Sequence, residues 1–374
     1  MRFDRTNTSF IGKWWWTIDR SAFFAVAMLI VIGGVMVTAA SPAVALRIGA
    51  DKFHFIHRQE IFLFLSLLVI LLVSMQSPQN IKRLAIIGFI CSVILMTALP
   101  FVGMETKGAK RWLTLLGVSI QPSEFLKPFM AIVTALIFNL RNQNLPIPTW
   151  IIATGVYFCV IILLLIQPDL GMAITVSAMW GLQFFLAGLP VIFVILLPML
   201  GVAGIFGAYH FFAHVKKRID NFLDPASGDN YQVEKSLEAF NSGGWFGQGM
   251  GEGKVKLQLP DSHTDFVFAV AGEEFGIIVC ILIASIFAFI VVRGMWSLSK
   301  EHDFFTIIAV SGLLAQFGVQ SIINMGVAVN LLPAKGMTLP FLSYGGSSLI
   351  AIAIGMGMML ALTRKRYGNV VIKR

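Results

Sequence analysis

The sequence predicts an all-α integral membrane protein of about ten transmembrane helices, with a long polar loop between helices seven and eight. Three observations predict it. Of the 374 residues, 57% are hydrophobic and only 13% charged, where an average soluble domain has roughly 45–50% and about 25%. The apolar residues gather in runs near the roughly 20 residues that a bilayer-spanning helix needs. Polar segments, most of them containing Gly or Pro, separate those runs. The mean hydropathy is +0.82, and a large soluble domain has no room.

Residues 1–20 form a basic leading segment with Arg2, Arg5, Lys13 and Arg20 around Trp14-Trp15-Trp16. Trp prefers the membrane interface, so the triplet reads as an anchor ahead of the first span. The run 21–46 has no charge and no short apolar core followed by a cleavage site, so it stays as a span rather than leaving as a signal peptide. The other predicted spans are 61–81, 84–104, 125–140, 150–166, 172–186, 191–209, 266–292, 304–325 and 342–362. The 40 residues 170–209 lack charge and must hold two spans, with Gly188-Leu189-Pro190 as the turn between them.

An even count puts both termini on one side. With the long loop 210–264 set aside, Lys and Arg are in excess on that side, and the tail 363–374 is basic. Cytoplasmic termini and an extracytoplasmic loop are therefore expected. The formal charge of +9 suits anionic lipid head groups and pyrophosphates better than nucleic acid in a chain this apolar. Cys91, Cys159 and Cys280 lie in apolar runs without metal-site spacing and read as small buried residues.

Five polar constellations interrupt the pattern. In Gln121-Pro122-Ser123-Glu124-Phe125-Leu126-Lys127, Ser123 reads as a helix cap and Glu124 and Lys127 share a face. A capped helix with an ion pair accounts for most of this, but a cation inside lipid needs a partner or an anionic ligand. Gln167-Pro168-Asp169-Leu170-Gly171 reads either as a broken helix lining a polar cavity or as a loop with a capping Asp. The glycine-rich stretch 242–253 lacks the βαβ setting of a dinucleotide site and reads as mobile, with Lys254 and Lys256 available to phosphate oxygens.

Asp265 sits where the long loop meets an apolar run, beside His263. The bland reading is a helix cap. The functional one is a general base, since a partly dry border makes a carboxylate more basic. Glu273 and Glu274 lie deeper, and Glu273 reads as the partner of a buried cation. Last, Lys335 opens a stretch through Ser343 to Gly345-Gly346-Ser347-Ser348, which suits an anion at a helix start or, more simply, close helix packing.

Taken in order, Gly108-Ala109-Lys110-Arg111-Trp112, Gln121-Pro122-Ser123-Glu124, Gln167-Pro168-Asp169-Leu170-Gly171, His263-Thr264-Asp265-Phe266-Val267-Phe268, Gly272-Glu273-Glu274-Phe275-Gly276 and Leu339-Pro340-Phe341-Leu342-Ser343-Tyr344-Gly345-Gly346 resemble the SEDS family of cell-wall proteins (shape, elongation, division, sporulation). The resemblance covers residues 19–367, and the stretches 335–340 and 247–253 look more like the division member than the elongation member. It implies ten spans and a peptidoglycan glycosyltransferase that polymerises lipid II in the bacterial inner membrane, at the septum. Asp265 would be the catalytic base, displacing undecaprenyl pyrophosphate with inversion. Arg111, Glu124, Lys127 and Asp169 match the family's other cavity positions; Lys335 and Ser343 join them as expected substrate contacts. Lys and Arg, with a divalent cation (Mg or Mn) as the one cofactor expected, would stabilise the leaving group. A class B penicillin-binding transpeptidase and other division membrane proteins are the implied partners. Met172 after Gly171, where Thr is common, and Leu259-Pro260-Asp261-Ser262 are the departures. A lipid II flippase and a non-catalytic scaffold are the competing readings.

Overall fold

A computed structural model describes residues 9–365 apart from 48, 50, 52, 107–108, 116–117, 142–147, most of 189–230, and 334–335. The described helices are α1 (Phe10–Thr17), α2 (Arg20–Arg47), α3 (His54–Ser74), α4 (Pro78–Val102), α5 (Pro122–Leu140), α6 (Thr149–Ile166), α7 (Leu170–Leu186), α8 (Tyr231–Gly243), α9 (Val267–Leu298), α10 (Phe304–Ala328) and α11 (Gly346–Leu362). Among the described residues, seven helices are long and apolar enough to cross a membrane, and α7 and α11 are shorter apolar ones. These nine occupy nine of the ten expected spans. The remaining one, 191–209, lies mostly outside the described residues, as does much of the long loop.

Local chemistry sets the boundaries. Ser77 accepts from the Asn80 N–H and Pro78 takes the first position of α4, where a missing N–H costs nothing. Asp303 caps α10 through the Thr306 N–H. The second and third spans begin earlier than the charge-free runs suggest. Helix α3 reaches back through Arg58 and Glu60, and α4 contains Lys82 and Arg83. Charged side chains near a helix end can extend to the interface, so they need not end it.

Helices α5 and α10 are the centre of the bundle, each with 67% of its apolar window buried, against 22% for α4 and α6. Helix α5 packs on α4, α10 and α11, while α10 also packs on α7 and α9. Around them, large apolar residues such as Phe64, Ile87, Ile162 and Ile281 point away from the protein. Water would penalise that surface and lipid accepts it. Cys91 and Cys159 belong to this outer surface, and only Cys280 is buried as expected. The chain is a multi-pass membrane protein. Between α4 and α5 the polar segment forms a three-stranded antiparallel sheet, β1 (Met104–Thr106), β2 (Ala109–Leu115) and β3 (Val118–Ile120), in the order β1-β2-β3.

Helix α9 is broken at Gly276, where φ is 79° and ψ 176°. In an unbroken helix the N–H groups of Ile277 and Ile278 would bond the carbonyls of Glu273 and Glu274. Here they turn to Gly244 and Trp245, and the released carbonyls accept from Gln248 and Gly249 at 2.9 and 3.0 Å. The glycine-rich stretch expected to be mobile is thus docked into the gap, because the break supplies the hydrogen-bonding groups that it needs. Gly276→Ala is expected to lose at least about 1–3 kcal/mol from the backbone conformation alone. A Cβ there would also lie 2.4 Å from the Trp245 carbonyl. Thermal unfolding in detergent measures the loss, and an unchanged midpoint contradicts the role given to the break.

Candidate active site

The turn before α9 brings Asp265 to the end of the bundle. Asp261 adopts φ 54°, a left-handed conformation that Asp tolerates better than most residues. Its carbonyl collects the N–H groups of Thr264, Asp265 and Phe266. Two other segments clamp this turn. The Ser343 hydroxyl donates to the Thr264 carbonyl, and the Tyr344 N–H donates to that of His263 at 2.7 Å. Asn324 of α10 donates to the Asp265 carbonyl at 2.9 Å and to the Met337 carbonyl at 2.6 Å. The backbone of Asp265 is therefore fixed from three directions, which holds the carboxylate in one place.

Asp265 does not cap the helix that follows. Helix α9 begins at Val267, and its N-cap is Phe266, whose side chain makes no capping hydrogen bond. The carboxylate instead lies against Gly336, where a Cβ would come within 3.0 Å of its Oδ2. Gly336→Ala is expected to move the carboxylate by tenths of an ångström and to slow turnover about tenfold, since small displacements of a reacting group are costly. An unaltered rate constant at equal folding contradicts the idea that this glycine shapes the site. Lys335, the neighbouring expected contact, lies outside the described residues.

A buried polar chain leads to the same loop from the first turns of α5. Lys127, wholly buried, lies 2.7 Å from Glu124 and donates to Gln320 Oε1 at 2.8 Å. Gln320 in turn donates to the Thr338 carbonyl at 2.9 Å. Ion pair and amide together satisfy an ammonium that lipid would otherwise expel. The residues Gln316, Gln320 and Asn324 stand four apart on α10, a polar stripe on one face of a span that their spacing alone discloses. Ser123 is not the cap that was expected. The helix starts two residues earlier, at Pro122 with Gln121 as N-cap, and the buried Ser123 hydroxyl has no hydrogen-bond partner.

The break before α7 adjoins this loop as well. Asp169 caps α7 through the Met172 N–H at 3.2 Å, and its other oxygen accepts from Gln121 Nε2 at 3.2 Å. Arg111 on β2 donates to the carbonyls of Gln167 and Pro168 at 2.9 and 2.6 Å. A Cβ on Gly171 would lie 3.2 Å from Met337 Sδ, so this corner packs against the loop that faces Asp265. Arg111, Asp169, Glu124 and Lys127 thus border one region. Ser343 is 1% exposed, and its hydroxyl bonds Thr264 and accepts from Leu339 N–H at 2.8 Å. It positions the Asp265 turn rather than offering a free group to a ligand.

Two other expectations are corrected. Glu273 does not hold the buried cation. Its carboxylate accepts the N–H groups of Val255 and Lys256 at 2.6 and 2.8 Å, because the loop folds a 3-10 turn (Val255–Leu257) over it. Lys256 is turned inward onto Glu274 and the Ala39 carbonyl, so it is not available to phosphate, whereas Lys254 is exposed. Gly345 and Gly346 admit the ring of Phe62 and the hydroxyl of Ser348, which is the close-packing use of small residues.

The His263 ring packs at a tilt against Phe55 and Tyr344, at ring distances of 4.9 and 5.2 Å. Burial lowers its pKa from 6.5 to about 4, against a smaller upward pull from Asp261. The imidazole is therefore neutral at pH 7. Since its folded pKa lies below its unfolded one, the unfolded state binds the proton first, and stability falls as pH drops from about 6.5 to about 4. The total is on the order of 3 kcal/mol, at 1.36 kcal/mol per unit. His263→Phe is expected to flatten this acid limb in unfolding measured against pH; an identical pH dependence contradicts the assignment.

The fold and site define a polytopic membrane protein with a clamped acid at one end of a bundle and a buried polar chain leading to it. The FtsW/RodA/SpoVE family, described as cell cycle protein, matches residues 20–368. A protein of Caulobacter vibrioides named probable peptidoglycan glycosyltransferase FtsW is 42% identical over 98% of this chain and 94% of its own length. One of the same name from Saccharophagus degradans is 37% identical over 93% and 92%. Among solved structures, a chain of a peptidoglycan synthase complex coordinating polymerization and crosslinking superposes with a TM-score of 0.76 at 26% identity, covering 92% of this chain and 97% of that one. The rod shape determining protein RodA of Thermus thermophilus superposes at 0.68 with 27% identity, over 94% and 98%. This chain belongs to the FtsW/RodA/SpoVE family, and its likeness within it is to the FtsW branch.

Proposed function

We propose that the chain is a peptidoglycan glycosyltransferase that polymerises lipid II into glycan strands, with Asp265 as general base. The observation that carries this reading is the three-way clamp that fixes the Asp265 backbone while its carboxylate faces Gly336. Asp265 takes the proton from the acceptor sugar's 4-hydroxyl, and that oxygen forms the new bond to the donor's anomeric carbon. The bond from that carbon to the pyrophosphate breaks on the opposite face, inverting the centre and releasing undecaprenyl pyrophosphate. The leaving group is already a weak base, so it needs charge stabilisation rather than a proton.

Arg111, Lys127 and Lys335 are proposed to supply positive potential, with Glu124 and Asp169 fixing the first two regions in place. Ser343 acts by holding the Asp265 turn. Among the described residues no three His, Cys, Asp or Glu side chains gather as a metal cage. A Mg or Mn ion that accompanied the pyrophosphate would add charge stabilisation beside Arg111 and Lys127.

The proposed setting is the septal inner membrane, with both termini cytoplasmic, the long loop outside, and a class B penicillin-binding transpeptidase as partner. The test is purified wild-type chain in liposomes loaded with lipid II, followed for glycan strands and for lipid II crossing the bilayer. Strands are expected. Crossing without strands, with the transpeptidase bound, overturns the enzyme in favour of a flippase.

A further inference from the structure

The other end of the bundle carries a second polar feature. Helix α9 starts beside Asp265 and ends at Leu298, and beyond its break at Gly276 it still runs roughly 33 Å at 1.5 Å per residue, so its C-terminal end lies far from the candidate active site. There the ends of α9 and α11 and the start of α2 meet α1 around a cavity of about 1270 Å³. Helix α1 is fixed across it. Trp14 Nε1 donates to Ser74 at 3.0 Å, Arg364 donates to Thr17 Oγ1 at 3.0 Å, and the Lys365 N–H donates to the Thr17 carbonyl at 3.0 Å.

The cavity's charge is one-sided. Lys13, Arg20, Arg293, Lys300, Arg364 and Lys365 line it against a single carboxylate, Asp19. Asp19 is already engaged by Arg293 at 2.9 Å. Among the described residues no carboxylate pairs with Lys13, Lys300 or Lys365. Like charges held this close repel, and an anion between them relieves the repulsion.

Indoles complete the lining. The Arg20 guanidinium lies 4.4 Å from the Trp16 ring, and the Lys300 ammonium 5.2 Å from the Trp296 ring. Indoles beside cations mark the level of lipid head groups. The turns of α2 and α9 that continue from the cavity along the bundle expose Phe24, Met28, Val292 and Met295, a surface that acyl chains would cover. A soluble phosphate would use the cations but not that apolar flank.

We propose that this cavity binds the phosphate head group of an anionic bilayer lipid, phosphatidylglycerol or cardiolipin, on the membrane face opposite to Asp265. The site stands independently of the catalytic reading. The test is native mass spectrometry of the full chain released from nanodiscs of phosphatidylcholine mixed with phosphatidylglycerol, for the wild type, the triple variant K13Q/K300Q/K365Q, and K82Q/R83Q as a control on α4 at the same end. The three lysines are exposed and lack carboxylate partners among the described residues, so their loss leaves the fold's own ion pairs intact.

Retained phosphatidylglycerol is expected on the wild type and the control. Its apparent affinity should fall about fivefold for each lysine neutralised, from about 1 kcal/mol per cation near a lipid surface. Equal retention by the triple variant overturns the site. So does equal retention of phosphatidylcholine and phosphatidylglycerol by the wild type. If inorganic phosphate binds with the same lysine dependence while phosphatidylglycerol shows no preference, the lipid assignment falls and a soluble anion takes its place.

Discussion

Lys127→Met is expected to lower the stability of the chain by about 3–5 kcal/mol, since it leaves the Glu124 carboxylate buried without its cation. Glu124 is 3% exposed on a central helix, so its carboxylate has little solvent to replace the ammonium. Gln320 loses its donor as well, so the link to the Thr338 carbonyl loosens. The double variant Glu124→Gln, Lys127→Met is expected to recover most of the lost stability, because removing both charges removes the desolvation penalty together with the attraction. It should remain inactive if the Lys127 charge serves the leaving group. Melting temperature and strand formation, measured on both variants, separate the two roles. A stable and fully active double variant means that the pair serves the fold alone.

Much of this architecture is legible in the sequence, and the reasons for the exceptions are local. Spans such as α2 and α6 announce themselves because a long charge-free run has few other uses. The start of α3 does not, because Arg58 and Glu60 look like a loop until they are placed at the end of a helix near the interface. The break in α9 is hidden, since Gly276 in an apolar run looks the same whether it packs or breaks the helix. Only the exchange of four hydrogen bonds with the glycine-rich stretch reveals it.

The candidate site follows the same logic. Asp265, Asp169, Glu124 and Lys127 stand out because charge beside or within lipid is expensive. Which carboxylate meets which partner depends on loops. Lys256 reaches Glu274, and Glu273 takes backbone N–H groups, because a 3-10 turn folds over the helix. The work of Asn324 and Ser343 is to bridge carbonyls of segments distant in sequence, and residue type alone does not disclose that.

Asp265→Asn carries the largest expected effect on rate. The amide keeps the size of the side chain and leaves the backbone clamps from Asn324, Ser343 and Tyr344 in place, so the turn should hold its shape. What it removes is the ability to accept the acceptor hydroxyl's proton. A positioned general base contributes roughly 10²–10⁴-fold, and kcat should drop by that factor with little change in the apparent affinity for lipid II. Asp265→Glu should recover part of the rate if the carboxylate reacts, and none if Asp265 only shapes the turn.

The most direct measurement is therefore single-turnover strand formation from purified lipid II by the wild type and by Asp265→Asn, each with the proposed transpeptidase partner bound and at matched folding. Strands from the wild type and essentially none from the variant are the predicted result. Equal strands from both would contradict the account.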